Sequence, residues 1–331
     1  MRKKWIRGGI FLCLVLLLLS NLNRILCVKS PHGVDQTRYL YVQPKNKIDV
    51  LFLGSSHVHC NVNTQLLWDE YGMAAYLMTG AEQPLWNSYY NLKEALKTQK
   101  PKLVVLDMFC PSRFYDDFQP GWADENLDGM RISMNKLEAV YTSVQEEQSH
   151  FFLGFTEYHS RYDQLTAEDF QNFVWNRKTQ ERWKGYTPLN RHAELTEPDM
   201  SQVTTSQEMT EKSKEYFEKI VELTKKEGIT LALISGPYLL EERDQEVYNS
   251  IGQLAEKDGL LFWNTNTPAH YREMGLDFST DYADHAHLNE AGGAKYTAYL
   301  GKWLSQNYSF PDRRGQKGYE SWENQLMKSG E

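Results

Sequence analysis

Five short runs along the chain are apolar almost throughout: Ile48–Leu53 (IDVLFL), Ala74–Met78 (AAYLM), Leu103–Met108 (LVVLDM), Thr230–Ile234 (TLALI) and Leu260–Trp263 (LLFW). Runs of this length predict strands buried on both faces. Between them lie longer stretches of mixed polarity. They predict helices over Thr64–Tyr71, Leu85–Thr98, Glu208–Glu227, Glu241–Lys257 and Ala291–Gln306. Gln99-Lys100-Pro101 and Gly228 are helix stops, since proline cannot continue a helix and glycine suits its C-terminal cap. Strand and helix in alternation predict βαβ units and a parallel sheet, hence a three-layer α/β/α sandwich over residues 48–306. The alternation is interrupted by 111–207, an aromatic, irregular insertion after the third strand. Within it helices are expected at Ile132–Val144 and near Ala167–Trp175.

The N-terminus follows another pattern. Arg2, Lys3, Lys4 and Arg7 precede the unbroken apolar run Ile10–Leu19, and a second apolar patch covers Ile25–Val28. A basic flank before a leucine-rich core reads as a signal anchor or secretory signal. Trp5 to Val28 is long enough to span a bilayer. No A-x-A-like cleavage site follows, and Arg24-Ile25-Leu26-Cys27 departs from a lipobox, so an uncleaved anchor over 1–28 is the favoured expectation and a cleaved peptide the alternative. The basic flank would stay in the cytoplasm and the body face outward. Residues 29–47 read as a polar linker, and 307–331 as a loose polar tail.

Of 331 residues, 41% are apolar and 24% charged, enough for a large core. The net charge of −8 is scattered, with no long basic run, which argues against a nucleic-acid binder. Four cysteines exclude a disulfide-rich scaffold. Cys13 and Cys27 belong to the anchor region, while Cys60 and Cys110 each follow a strand. The latter are expected either to pair or to remain two buried thiols.

In open parallel sheets, ligands sit beyond the carboxyl ends of the strands. The first strand is followed by Gly54-Ser55-Ser56-His57-Val58-His59, the second by Thr79-Gly80, and the closing helix is preceded by Asp284-His285-Ala286-His287. Serine, imidazole and carboxylate at one edge are the parts of a nucleophile, base and orienting group. An aspartate three residues before a histidine can fold back onto Nδ1 and leave Nε2 outward. Phosphodiester or metal-dependent hydrolysis through His57, His59 and Asp107 is a separate reading.

Gly-x-Ser after the first strand, Gly after the second and Asp-x-x-His before the last helix resemble the SGNH (GDSL-type) hydrolase superfamily, over Ile48–Asp107 and Thr230–Gln306. The Gly-Ser-Ser form with an N-terminal anchor is similar to the teichoic-acid D-alanyl transfer protein and to membrane-anchored partners of polysaccharide O-acetyltransferases. The resemblance implies a flavodoxin-like fold, Ser56 as nucleophile, His287 as base, Asp284 orienting it, and the N–H groups of Ser56 and Gly80 holding the oxyanion. It implies no cofactor or metal. Substrates would be acyl esters of cell-envelope glycans or polyol phosphates, with a membrane-embedded acyltransferase as partner, at the outer face of a bacterial membrane. The third block departs from the family, since Leu106-Asp107-Met108-Phe109 holds no Gly-x-Asn donor. That departure suits an inactive, glycan-binding relative as the other function class. His57, His285 and, in the insertion, His159 and Arg161 are candidate substrate contacts. Trp175, Trp183 and Tyr186 offer sugar-stacking faces or a second small core.

Overall fold

The computed structural model describes residues 2–26, 32–113, 118–119, 121–152, 154, 158–171 and 182–323. Five strands form the sheet: β1 (Val50–Gly54), β2 (Ala75–Thr79), β3 (Leu103–Asp107), β4 (Thr230–Ser235) and β5 (Leu261–Asn264). Their order is β2-β1-β3-β4-β5 and every pairing is parallel. All five apolar runs are therefore strands, displaced by at most two residues from the expected bounds. Strand parity builds two cores. Leu51, Leu53, Val104, Leu106, Leu231 and Leu233 face one layer of helices. Val50, Phe52, Leu103, Val105, Ala232 and Ile234 face the other. A side-chain period of two has sorted continuous apolar runs into the two halves of an α/β/α sandwich.

The main helices are also where the pattern puts them: Thr64–Tyr71, Leu85–Ala95, Met134–Ser143, Glu211–Glu227, Glu242–Asp258 and Glu290–Asn307. Thr210 caps the Glu211–Glu227 helix through Ser213 N–H, and Gly228 ends it in the left-handed conformation. The expected helix near Ala167–Trp175 is described as Ala167–Gln171; the rest of it, with Trp175, lies outside the described residues. So do Cys27 and Val28.

Two segments expected to be peripheral, together with the end of the insertion, instead cover the open edge of β2. The supposed linker forms a helix, Val34–Leu40, with Val34, Gln36, Thr37 and Leu40 buried. Gly33 N–H donates to the Thr79 carbonyl at 2.9 Å, and Gln36 Oε1 accepts from Thr79 N–H at 2.7 Å. The supposed loose tail brings in Trp322, whose Nε1–H donates to the Ala75 carbonyl at 3.1 Å, and Arg313, bidentate on Asp49 at 2.7 and 2.8 Å. The end of the insertion lays Gly185 against the Leu77 carbonyl. Ala75, Leu77 and Thr79 are alternate residues, whose outward peptide groups would otherwise be an unpaired edge. Closing that edge is the physical reason these polar segments are ordered.

The N-terminal helix, Arg2–Leu26, is long and apolar enough to cross a membrane and is almost entirely exposed. Leu26 packs with Tyr158 and Leu165 of the insertion. Cys60 and Cys110 are separate buried thiols, so the pairing is not made. Burial pushes Cys60 up to about 12 and Cys110 well above the usual thiol range.

Candidate active site

The sheet order changes direction between β1 and β3, and a ligand site is expected beyond the strand ends at that point. β1 ends in Gly54, at φ 156°, where an added Cβ would lie 2.5 Å from the Asp107 Cβ. Only glycine permits the sharp exit there. Ser55 follows as the N-cap of the Ser56–Asn61 helix. Its Oγ accepts from His57 N–H at 3.3 Å and donates to Asp107 Oδ2 at 3.4 Å. Burial lifts Asp107 to about 7, against the backbone N–H groups of Phe109 and Ser55 that stabilise its charged form. Asp107 thus braces the turn that presents Ser56.

From the other end of the sequence, the loop before the Glu290–Asn307 helix supplies Asp284 and His287. Asp284 Oδ1 accepts from Ala286 N–H at 2.9 Å, His287 N–H at 3.0 Å and His287 Nδ1–H at 2.8 Å. The carboxylate therefore fixes both the loop and the tautomer, leaving Nε2 as acceptor. Ser56 Oγ lies 2.8 Å from that Nε2 and donates to it. Residues separated by 231 positions in the chain meet at hydrogen-bond distance. Asn61 joins the two halves. Its Oδ1 accepts from Leu288 N–H at 3.1 Å, and its carbonyl accepts from Thr297 Oγ1 at 3.1 Å.

Arg191, which the sequence did not single out, reaches the same carboxylate, with Nη2 3.0 Å from Asp284 Oδ2. It is carried there because Ala193 bridges Tyr282 and Glu290 N–H donates to the Leu189 carbonyl. Burial of Asp284 works against its charge, but His287, the Ala286 N–H and Arg191 outweigh it and hold the carboxyl below the usual range. Burial likewise lowers His287. The Asp284 charge opposes that shift, and Arg191 and His285 add to it. Were His287 to act as base towards Ser56 it would have to be neutral, and activity would rise with pH through the His287 pKa, below the ordinary 6.5, and be flat across neutrality. Arg191→Ala removes a cation near the imidazole. The acidic limb of kcat/KM against pH should then move to higher pH; a shift the other way, or none, would contradict this electrostatic account.

The remaining candidates separate. His57 is buried and stacks on Phe109 at 3.4 Å between centroids, with its ring 5.5 Å from that of His287. Neither of its ring nitrogens has a partner among the described residues, and burial drives its pKa well down, so it is a neutral wall of the site. His59 points elsewhere, stacking on His32 and bonding Thr79 Oγ1, so it and His57 do not converge. His285 is exposed, and its carbonyl accepts from Leu239 N–H. Arg161 and His159 stand at the end of the N-terminal helix. Arg161 donates to the Leu26 carbonyl and pairs with Asp169 at 3.5 Å, so it satisfies the end of the N-terminal helix, and exposed His159 opens the same turn. Trp183 and Tyr186 pack into the second core rather than presenting stacking faces.

Gly80 ends β2 beside Asn126, whose Oδ1 would lie 2.3 Å from an added Cβ. Glycine is thus required here for space. Asn126 comes from the insertion, but its Nδ2 is used on the Ala81 and Trp122 carbonyls, both at 2.9 Å. β3 is followed by Met108, Phe109 and Cys110, with no asparagine among them.

No protein-family model matches the sequence, and no curated protein matches it. Among solved structures the chain is similar to a protein described as an acylhydrolase from Bacteroides fragilis, at 12% identity and TM-score 0.41, covering 85% of this chain and 99% of that one. It is also similar to two variants of Axe2, described as an acetyl-xylooligosaccharide esterase and an acetylxylan esterase from Geobacillus stearothermophilus. Both are 12% identical, with TM-scores of 0.38 and 0.39, covering 81% and 82% of this chain and 98% and 99% of those chains.

Proposed function

We propose that the chain is a membrane-anchored serine esterase or O-acyltransferase of SGNH type, acting on acyl esters of cell-envelope glycans or polyol phosphates. One observation carries the reading: the relay from Asp284 through His287 to Ser56, each link 2.8 Å. Such a relay has a specific use. As Ser56 Oγ forms its bond to an acyl carbonyl carbon, its proton passes to His287 Nε2. The imidazolium is stabilised by Asp284, and the carbonyl oxygen becomes an oxyanion. Collapse breaks the ester bond and returns the proton to the leaving alcohol, giving acyl-Ser56. Water or an acceptor hydroxyl then attacks with His287 again as base, and Ser56 is regenerated.

The backbone N–H groups of Ser56 and Gly80 are assigned to the oxyanion. The first opens a helix, where N–H groups lack internal partners. The second belongs to the peptide whose carbonyl, Thr79 C=O, is held outward by Gly33. In a planar trans peptide the N–H points opposite to the C=O, so the Gly80 N–H faces inward, on the side of β1. With no Gly-x-Asn after β3, either these two backbone donors carry the charge or a group from the insertion adds to them. The N-terminal helix supports a membrane location, and its basic start supports an outward-facing body. That placement favours transfer from a membrane-delivered acyl donor, such as an embedded acyltransferase would supply.

The test is to incubate the full chain, in detergent, with an activated acetyl ester and to measure its mass. Gain of one acetyl group on Ser56 is expected, with release accelerated by glycan or polyol acceptors if transfer is the physiological half-reaction. No adduct, or an adduct on another residue, would overturn the proposal.

A further inference from the structure

The peptide before Gly80 is fastened by the segment that follows the N-terminal helix, and the peptide after it by Glu125 of the insertion, which His32 of that segment contacts. Thr79 C=O accepts from Gly33 N–H at 2.9 Å. Thr79 N–H and Thr79 Oγ1–H both donate to Gln36 Oε1, at 2.7 and 2.9 Å. Ala81 N–H donates to Glu125 Oε1 at 3.0 Å, and the same oxygen lies 3.0 Å from His32 Nε2. Gln36 is buried, and its Nε2 is engaged by the Gly185 carbonyl at 2.8 Å. β2 is an edge strand, so no further strand holds this side of it. The outer side of the Thr79–Gly80 peptide is therefore held by Gly33 and Gln36, and its inner side by the pairing of Thr79 with Gly54 of β1. Because that peptide is planar and trans, holding its carbonyl outward is what aims its N–H inward.

We infer that Gly33 and Gln36 are positioning residues of the acyl-transfer site, fixing the peptide plane that carries the Gly80 oxyanion donor. The stretch between membrane helix and body is then a working part of the active site rather than a tether. The inference rests on the reading of Ser56 as nucleophile and Gly80 as donor. It predicts that movement of the membrane helix relative to the body is felt first at the oxyanion donor.

The experiment uses the full chain in detergent with p-nitrophenyl acetate. Gln36→Met fills the same space without an acceptor, and Gln36→Glu keeps the acceptor for Thr79. Removing one oxyanion donor lowers kcat by about 10²–10³-fold, so misaiming one in Gln36→Met should lower kcat roughly 10- to 100-fold with KM within about twofold. Hydrogen exchange at the Thr79 amide should lose protection in the same variant. Gln36→Glu, whose buried carboxyl faces the Gly185 carbonyl and is therefore held in its protonated, donating form, should restore both the exchange protection and most of kcat. Loss of Thr79 protection with kcat unchanged overturns the inference, as does a kcat loss that Gln36→Glu leaves in place or that comes with an equal rise in KM. If the wild-type chain neither turns over the ester nor acetylates Ser56, the underlying reading fails and takes this one with it. A wild type that does both, matched by Gln36→Met, sinks the positioning role alone.

Discussion

Ser56→Ala is expected to abolish acylation and to lower turnover of an activated acetyl ester by roughly 10⁴-fold or more, the range seen when a triad nucleophile is removed. The alanine variant has no oxygen to form the ester, so the acetyl adduct must vanish by mass as well as by rate. His287→Ala should cost a similar factor, because a serine hydroxyl is a weak nucleophile without a base at 2.8 Å. The two losses should not add: the double variant should be no slower than either single one, since each already removes the whole relay. Asp284→Asn is the sharper probe. Its Oδ1 would still accept from the Ala286 and His287 N–H groups, so the loop should stay in place. The amide nevertheless no longer stabilises the imidazolium, and its N–H₂ can hold the ring in the wrong tautomer. A fall of about 10³–10⁴-fold is expected. Turnover that survives Ser56→Ala would reject the mechanism.

Much of this was legible because it depends on local signals. A strand buried on both faces has to be apolar at consecutive positions, and Leu103–Asp107 and Thr230–Ser235 are. A carboxylate that folds onto a histidine three residues later needs only one turn of chain, so Asp284 and His287 could be paired on spacing. That Ser56 faces them followed from the rule that parallel strands end on one side. What was not legible belongs to the β2 edge. Gln36, Trp322 and Gly185 are ordered because Ala75, Leu77 and Thr79 present peptide groups to be satisfied, and only the strand order reveals which strand is open. Segments held by a few hydrogen bonds and one or two aromatics look, residue by residue, like loose polar chain. Tyr319 and Trp322 in an otherwise polar tail were the available signal, since large aromatics in such a tail tend to be buried. Arg191 and Asn61 carried no signal at all. Each acts on a partner about 93 and 227 positions away, in an arrangement only the folded chain specifies.

Trp322→Ala is expected to destabilise the fold by about 4 kcal/mol, in the range for deleting a buried indole. The ring is fully buried and stands near Trp68 and Tyr319, with centroids 6.3 and 5.7 Å away. Its loss would leave the Ala75 carbonyl without the Nε1–H donor. It would also leave the Lys184 ammonium, which lies 4.0 Å over the ring, in a buried position with only Gln43, Ser321 and its remaining polar partners. For a body of this size, a loss of that order lowers Tm by about 10 °C. Trp322→Phe keeps most of the packing and drops only the N–H, so about a third of that shift is expected. The effect on catalysis should be small. Trp322 holds the Ala75 end of β2, whereas Gly33 and Gln36 hold the Thr79 end, where the oxyanion donor lies. Thermal unfolding should therefore move while kcat, measured well below Tm, stays within about twofold of wild type. An unchanged Tm would mean the tail is not holding the edge. A lowered kcat in the fully folded variant would mean the two ends of β2 do not act separately, and that the strand transmits strain along its whole length to the Gly80 peptide.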